Sequence, residues 1–232
     1  MKLRAFRHWL SVLLTAAAVY VLGAYFIVPV IWSHFEHQPG LATRAAGTTT
    51  RQGILGDPLN VGLAGSRDDV VRAMHMAGWF PADAVTFRSS LAIVGSVVLD
   101  HPYLDAPVST LLYESRKQDL AFEKPAGKSA NRRHHVRFWK VLDGGVEGYP
   151  VWLGAATFDR GVGFSHYTGQ VTHHIDADID AERDLLIADL TNTHAVTTLY
   201  QVSGVGPTIN ARNGGGDVYY TDGVKAGAIM PH

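Results

Sequence analysis

The sequence predicts an α+β fold, with a mainly antiparallel sheet and about three helices, preceded by one N-terminal transmembrane helix. Three observations lead to this prediction. An uncharged apolar run opens the chain, helical patterns stand before and after a block of strand-like runs, and those runs are joined by short connections rich in Gly, Pro and Asp. Consecutive strands with short connections usually pair with their neighbours along the chain. The predicted parts are an N-terminal tail and anchor (1–33), a linker (34–53) and one domain (54–232).

The anchor is the stretch "WLSVLLTAAAVYVLGAYFIVPVIW" (9–32), which contains no charged residue. As an α-helix it would be about 36 Å long, enough to cross a hydrocarbon core of about 30 Å. The apolar region of a cleaved signal peptide is shorter, about 7–15 residues. Three basic residues precede the span, Lys2, Arg4 and Arg7. Among the twelve residues that follow it, Arg44 is the only lysine or arginine. The positive-inside rule therefore predicts a single-pass cell-membrane protein with a cytoplasmic N-terminus and an extracytoplasmic domain.

Composition narrows the partners and the chemistry. A formal net charge of −1 gives no electrostatic reason to expect nucleic acid as a partner. The absence of cysteine excludes disulfides, thiolate metal sites and cysteine nucleophiles. Residues 34–53 are rich in Gly, Thr and Ala and poor in large apolar side chains, which is typical of a flexible linker. We expect the membrane as a partner, together with a lipid or a membrane protein.

Each element of the domain has a local pattern. "GSRDDVVRAMHMAGW" (65–79) predicts a helix with Ser66 as N-cap and Gly78 as its stop. "FRSSLAIVGSVVLDHPY" (87–103) predicts a second, more buried helix, and a third is expected from Asp180 to Leu190. The strand-like runs are "TLLYES", "DLAFEKP", "HHVRFWKV", "VWLGAATF", "VTTLYQV" and "DVYYTD".

The connection after "VWLGAATF" decides how the later strands are arranged. "FDRG" has hairpin chemistry, so we expect Asp159 to lie in a turn with Gly161. "VGFSHYT" would then form an extra strand before "VTHHI" (171–175). With that extra strand, the histidines in "RHHVRFW" and those in "VTHHI" would lie at the same edge of the sheet.

Blocks of sequence across residues 55–223 resemble the LssY C-terminal domain family. They are "DPLNVGLAGS", "AGWFPAD", "RSSL", "APVS", "QDLAFEKP", "RHHVRFW", "VWLGAATFDRGV", "THHIDADIDAERD" and "RNGGGDVYYTDG", in this order. The resemblance implies a domain of the bacterial envelope, with no established activity attached to it. Such domains are sometimes joined to polytopic lipid-phosphatase-type or DedA-type membrane regions, which a single helix replaces here.

Known catalytic and metal-binding motifs do not match. Arg160 and His166 have one spacing of the membrane acid phosphatases, but Gln170 stands where their Asp is required and no "PSGH"-like segment occurs. Asp176 begins a run of alternating acids that resembles an EF-hand loop, but Ala181 stands where that loop requires Gly. "NGGGD" (213–217) lacks the Lys-Ser/Thr of a phosphate loop and predicts a turn.

Two His-His pairs are the candidate site. In an extended chain, His134 shares a face with Val136 and Phe138, and His135 shares the other face with Arg137. One grouping would place His135, Arg137, His174 and Asp176 together, where they could bind a divalent metal or an anion. The other would bury His134 beside His173 in the core. The candidate metal ligands are thus His134, His135, His173, His174 and Asp176, and the candidate catalytic residues are His135, His174 and Arg137. Asp178 or Asp180 is the expected N-cap of the third helix.

Two functions remain open. The first is a metal-dependent hydrolase that acts on a lipid or envelope phosphoester, with Arg137 binding the substrate anion. The second is a non-catalytic envelope module that binds lipid headgroups or a partner protein.

Overall fold

The computed structural model describes residues 2–31, 41, 44–82, 88, 111–127, 132–169, 171–202 and 210–230. The chain forms two compact units, Met1–His37 and Gln38–His232. The described residues form three α-helices: α1 (Lys2–Leu22), α2 (Arg67–Met76) and α3 (Ile179–Asn192). The helix predicted over 87–103 lies outside the described residues, apart from position 88.

In the N-terminal unit, α1 continues as a π-helical stretch, Gly23–Ile27, and then as an α-helix over residues 28–31. Pro29 explains the change, because proline lacks an N–H and its ring crowds the carbonyl four residues earlier. The N–H of Val28 donates to the carbonyl of Gly23, one residue further back than in an α-helix. By length and composition, Phe6–Ile31 is a candidate membrane span, which is the position predicted for the anchor.

The described part of the domain contains an eight-stranded, a three-stranded and a two-stranded sheet, the last formed by two short strands near the C-terminal end of the domain. The described strands are β1 (Gly47–Thr50), β2 (Leu55–Pro58), β3 (Val61–Ala64), β4 (Phe80–Pro81), β5 (Leu111–Leu112), β6 (Leu120–Pro125), β7 (Arg133–Leu142), β8 (Val151–Phe164), β9 (Val171–Ile175), β10 (Thr198–Val202), β11 (Ala211–Arg212), β12 (Val218–Tyr219) and β13 (Lys225–Ile229). The large sheet has the order β10-β13-β3-β8-β7-β6-β4, and β9 pairs with β8. Its described pairs are antiparallel except β13 with β3, so the predicted α+β class is confirmed.

Part of the predicted linker is folded. Gly47–Thr50 forms β1, which pairs with β2 and β5 in the three-stranded sheet β2-β1-β5. The side chain of Thr48 is buried and donates to the carbonyl of Asp57. The domain therefore begins before residue 54, because threonine and glycine, which read as linker residues, also suit a short strand whose partners come from later in the chain.

The two described helices of the domain, α2 and α3, cover one face of the large sheet. Val70 and Met74 of α2 and Leu186 and Leu190 of α3 pack in the main core with side chains of β3, β6, β7 and β8. The predicted N-cap Ser66 accepts from the N–H of Asp69 in a capping box. For α3, Asp178 rather than Asp180 is the N-cap and accepts from the N–H of Ala181.

The opposite face of the large sheet has an apolar half and a charged half. Trp139 and Val141 of β7 pack with Val151 and Leu153 of β8 in a second core, which also contains Leu111 of β5. On the same face, β7 carries three buried charged or polar side chains, Arg133, His135 and Arg137. The alternation predicted for β7 is confirmed, because Val136 and Phe138 belong to the core under the helices.

The predicted hairpin at "FDRG" is wrong. β8 runs through Asp159 and Gly161 as one strand of 14 residues and turns only after Phe164. Between Asp159 and Gly161 its register with β9 shifts by one residue, so Arg160 is the extra residue of a β-bulge. Asp and Gly occur both in tight turns and in β-bulges, so the local sequence does not distinguish the two. The segment is a bulge because β9 pairs with the far half of β8 and keeps β8 extended.

β9 continues the edge of β8 that β3 begins. The carbonyls of Gly154 and Ala156 accept from the backbone and side chain of Asn60, just before β3. The next carbonyl on that edge, Phe158, accepts from the N–H of Asp176, just after β9. On the other edge of β8, β7 pairs with the same residues, and Arg133 lies opposite Asp159. The histidines of β7 and those of β9 therefore lie on opposite sides of β8.

Candidate functional site

His134 lies on the helix face of the sheet. Its Nδ1 donates to Oε2 of Glu182 in α3 at 2.8 Å, and its ring packs against those of Trp79 and Phe158. Burial raises the pKa of the Glu182 carboxyl, and the hydrogen bond from His134 opposes that rise. His134 therefore ties α3 to β7, on the opposite face from His173, and the predicted grouping of these two histidines is not formed.

The charged half of the other face forms what we call the buried charged network, whose members are Asp57, Glu123, Arg133, His135, Arg137, Asp159 and His173. Arg133 joins two acids, with Nη1 donating to Oε2 of Glu123 at 2.7 Å and Nε to Oδ2 of Asp159 at 3.3 Å. Both Arg133 and Asp159 are buried. Although burial alone would raise it, the pKa of Asp159 is held below its usual value by the hydrogen bond from His173 and by nearby positive charge.

His173 stands between an acid and a base of this network. Its Nδ1 lies 2.8 Å from Oδ2 of Asp159 and 3.1 Å from Nη2 of Arg133. A carboxylate only accepts and a guanidinium only donates, so Nδ1 can satisfy one of the two at a time, according to its protonation. His173 therefore lies against both groups but is hydrogen-bonded through Nδ1 to only one of them at a time.

His135 is only 2% exposed. Burial lowers its pKa well below the ordinary value for histidine, and the positive charge of Arg137 lowers it further. The negative charge of Asp159 acts in the opposite direction and raises the pKa of His135. An imidazole that is buried and neutral in this way is not accessible to a substrate.

Arg137 is held by a carboxylate. Its Nη1 donates to Oδ2 of Asp57 at 3.4 Å, and the other oxygen of that carboxylate accepts from Nδ2 of Asn213 at 3.2 Å. Burial raises the pKa of Asp57, against the opposing effects of Arg137 and Asn213. Because Arg137 is buried and paired in this way, it is not placed as the open anion clamp that the sequence predicted.

One predicted histidine belongs to a group that could hold a metal ion. His174 lies with His166 and Asp217, and one ligand atom from each of the three lies within 4.8 Å of the other two. Nδ1 of His174 donates to Oδ1 of Asp217 at 2.7 Å, and the imidazoles of His166 and His174 are 5.8 Å apart between centroids. We call these three residues the metal-capable group. Asp217 is buried, His174 is half-buried and His166 is exposed, so the group opens to solvent on one side.

The loop 213–217 fixes the carboxylate of this group. Oδ1 of Asn213 accepts from the N–H groups of Gly215 and Asp217, and Oδ2 of Asp217 accepts from the N–H of Ile175 in β9. The carbonyl of Gly215 accepts from the N–H of His166, which brings the turn after β8 onto the loop. The sequence "NGGGD" thus forms the predicted turn, and that turn positions the carboxylate of Asp217.

Two glycines make room for the imidazoles. Gly216 has φ +91°, and a Cβ there would lie 2.7 Å from Cβ of His166. A Cβ at Gly163 would collide with the imidazole of His174. Side chains at either position would therefore displace a histidine of the metal-capable group, and Gly216 also needs a conformation that other residues rarely adopt.

The chemistry of the donor set fits a divalent ion. Imidazole and carboxylate together suit zinc, manganese or iron, and sites of two histidines and one carboxylate leave coordination positions for water or substrate. Asp176, the predicted carboxylate ligand, instead accepts from the N–H of Asp178 just before α3. The metal-capable group therefore retains one of the five predicted metal ligands, His174.

A family model described as the LssY C-terminus matches residues 35–224. The chain belongs to the LssY C-terminus family. No curated protein and no solved structure matches the chain. The match begins before residue 54, which agrees with the position of β1 in this LssY C-terminus domain.

Sequence reasoning missed two of the three residues of the metal-capable group in the LssY C-terminus domain. In the sequence, His166 drew attention only through its spacing from Arg160, which matches part of a motif of the membrane acid phosphatases. Asp217 was interpreted only as part of a glycine-rich turn. The available signal was the turn itself, because consecutive glycines ending in an acid allow close approach of the backbone. That signal does not identify the partner, since His174 and Asp217 are 43 positions apart.

Proposed function

We propose that this chain is a single-pass protein of the cell membrane whose LssY C-terminus domain hydrolyses a lipid or envelope phosphoester with the help of a divalent metal ion. The observation that carries the proposal is the metal-capable group His166, His174 and Asp217. Three protein ligands with an open side are typical of catalytic rather than structural zinc sites. A divalent ion bound there would supply a water of lowered pKa as nucleophile.

The residues assigned to the metal site differ from those that the sequence predicted. His174 is kept as a ligand, and His166 and Asp217 replace the other predicted ligands. His135 and Arg137 are assigned to the buried charged network, where they support the fold of the sheet beside the group. His174 and Asp217 share a hydrogen bond at Nδ1, and a bound ion would take the place of that proton, so that both residues would act as ligands.

Placement of the domain outside the cytoplasm rests on charge asymmetry. Lys2, Arg4 and Arg7 lie at the N-terminal end of the candidate span Phe6–Ile31. Basic residues beside a span favour the cytoplasmic side. The domain would then act at the outer surface of the membrane that holds its anchor.

A second candidate function is a non-catalytic envelope module that binds a lipid headgroup or a partner protein. The pairing of Arg137 with Asp57 favours it, because the hydrolase hypothesis relied on that arginine to bind the substrate phosphate. In this alternative the metal-capable group would bind an ion without hydrolysing a substrate.

Metal analysis of the full chain, purified in detergent, tests the group itself. We expect about one zinc or manganese ion per chain after titration with either metal. The variants His166→Ala and His174→Ala should lose the ion, whereas His194→Ala, a change at an exposed histidine of the α3–β10 connection, should retain it. Failure of the wild-type chain to bind zinc, manganese or iron would overturn the proposal.

Activity separates the two functions. The metal-loaded chain should release phosphate or a phosphorylated headgroup from phospholipid vesicles, and a chelator should stop the release. Metal binding without hydrolysis of lipid or soluble phosphoesters would favour the non-catalytic module.

A further inference from the structure

The loop that carries Asp217 is surrounded by exposed apolar side chains. We define the loop-side patch by four of them, Leu55, Phe164, Tyr167 and Val218, which are 69%, 70%, 53% and 45% exposed. Large apolar side chains that lie this open to solvent are normal when scattered singly but indicate an interaction surface when they are gathered.

Contacts of the backbone gather these four residues around the loop 213–217. A Cβ on Gly214 would touch the side chain of Thr50 and the carbonyl of Leu55, so the β1–β2 hairpin adjoins the loop. The N–H of His166, between Phe164 and Tyr167, donates to the carbonyl of Gly215. Val218 directly follows the loop and begins β12.

Basic side chains lie on the same segments. Arg51 is exposed in the β1–β2 connection, and Arg212 is exposed in β11, where its Nη1 donates to the carbonyl of Gly216. A surface that combines aromatic and aliphatic side chains with arginines suits the headgroup region of a bilayer, where each lysine or arginine near anionic lipid contributes about 1 kcal/mol. Tyr220, although exposed, is excluded from the patch because it is hydrogen-bonded to Asp178 and lies near the negative charges of Asp176 and Asp180.

If Phe6–Ile31 spans a bilayer, that bilayer is within reach of the domain. Ten residue steps separate Ile31 from Leu41, which already packs against the second core, and ten steps reach at most about 35 Å when fully extended.

We infer that the loop-side patch inserts into the headgroup region of that bilayer. His166, which adjoins Tyr167 in sequence, would then face the phosphates of membrane lipids. The inference rests on the proposed function and narrows it, because it makes the substrate class a phosphate-containing lipid within the bilayer rather than a soluble phosphoester.

Absence of cysteine from the chain makes a direct test possible. Phe164→Cys and Val218→Cys, each labelled with an environment-sensitive fluorophore, place a probe in the patch. Val146→Cys, in the β7–β8 connection, and Leu199→Cys, in β10, place matched probes at other exposed apolar positions. The full-length variants are reconstituted into vesicles of phosphatidylcholine and phosphatidylglycerol in which one lipid carries bromine near its headgroup.

The patch probes should be quenched by brominated lipid at least about twofold more than the control probes. Equal quenching at all four positions, or no quenching at Phe164→Cys and Val218→Cys, would overturn the inference. A dimer in detergent that Phe164→Cys or Val218→Cys dissociates would also overturn it and would assign the patch to contact with a second copy of the chain. Metal content measured on the same preparations keeps the two proposals apart, because loss of metal binding refutes the proposed function whether or not the patch probes are quenched.

Discussion

Asn213 connects the buried charged network to the metal-capable group. Its Nδ2 donates to Asp57, which also pairs with Arg137, and its Oδ1 accepts from the N–H of Asp217. The amide therefore donates a hydrogen bond from its nitrogen and accepts one at its oxygen, which a neutral side chain can do. Asn213 acts on the site through Asp217 and is a positioning residue.

Replacing Asn213 should weaken metal binding without abolishing it. Removal of a residue that orients a metal ligand typically lowers metal affinity about 10- to 100-fold. We expect a loss in this range for Asn213→Ala, measured by competitive metal titration, and no loss for Asn210→Ala, a change at an exposed asparagine three positions earlier. Equal affinities of the two variants would show that Asn213 does not position Asp217.

His135 should make the domain less stable at acidic pH. Its folded-state pKa lies below the unfolded value near 6.5, so below that pH the unfolded chain binds a proton that the folded chain does not. This contribution to the free energy of unfolding is complete above about pH 6.5 and falls by up to about 1.4 kcal/mol per pH unit below it. Burial raises the pKa of Glu123 and Glu182, and these acids act in the opposite direction.

The pH dependence of the free energy of unfolding in two variants separates the contribution of His135 from those of the other titrating groups. His135→Gln should flatten the dependence of the free energy of unfolding on pH between 6.5 and 5, whatever its effect on stability at pH 7.5. His194→Gln, at an exposed histidine, should leave the slope unchanged. An unchanged slope in His135→Gln would mean that His135 is not held neutral in the folded domain.

At the scale of elements, β8 connects the apolar core with the candidate site. Its first half pairs with β3 and β7 within the core, and its second half, beyond the bulge at Arg160, pairs with β9. The bulge allows one continuous strand to place Asp159 in the buried charged network and Gly163 beneath His174.

Two glycines of β8 offer a matched pair of substitutions. A Cβ at Gly163 collides with the imidazole of His174, whereas a Cβ at Gly161 meets nothing within 4 Å. Gly163→Ala should therefore displace His174 and reduce metal affinity, while Gly161→Ala should bind metal as the wild type does. Metal titration and circular dichroism measured on both variants distinguish a displaced ligand from a loss of fold. Similar metal affinities would contradict the assignment of His174 as a ligand.

Two of the strands that the sequence did not predict share one property. β3 and β13 are parallel neighbours in the large sheet, and their sequences, "VGLA" and "KAGAI", are rich in glycine and alanine. These residues have low intrinsic preference for strands. Their place in the sheet comes from pairing with β8 and β10, which local patterns do not report.

At the scale of the whole molecule, the orientation of the anchor decides where the domain acts. With a cytoplasmic N-terminus, residues beyond the span are accessible from outside the cell or in the periplasm. A membrane-impermeant maleimide should therefore label Val146→Cys, which lies at an exposed position in the β7–β8 connection, in intact spheroplasts. A cysteine added next to Arg4 should be labelled only after lysis. Reversed labelling of the two positions would place the domain in the cytoplasm.

Local patterns in the sequence determined the anchor, the cap at Ser66, the hairpin of β7 and β8 and the alternation of side chains along β7. Each depends on residues close together in the chain or on the fixed periods of helix and strand. Composition alone excluded disulfides, thiolate metal sites and cysteine nucleophiles, because the chain has no cysteine.

Tertiary structure alone decided which histidines meet which acids. Whether Asp159 and Gly161 form a turn or a bulge depended on the pairing of β9 with β8, and that choice placed His173 with Asp159 and His174 with Asp217. The burial of Arg137 depended on Asp57, 80 positions earlier in the chain. Contacts at such separations follow from the packing of the whole domain, because a shift of one residue in register exchanges the faces on which side chains lie.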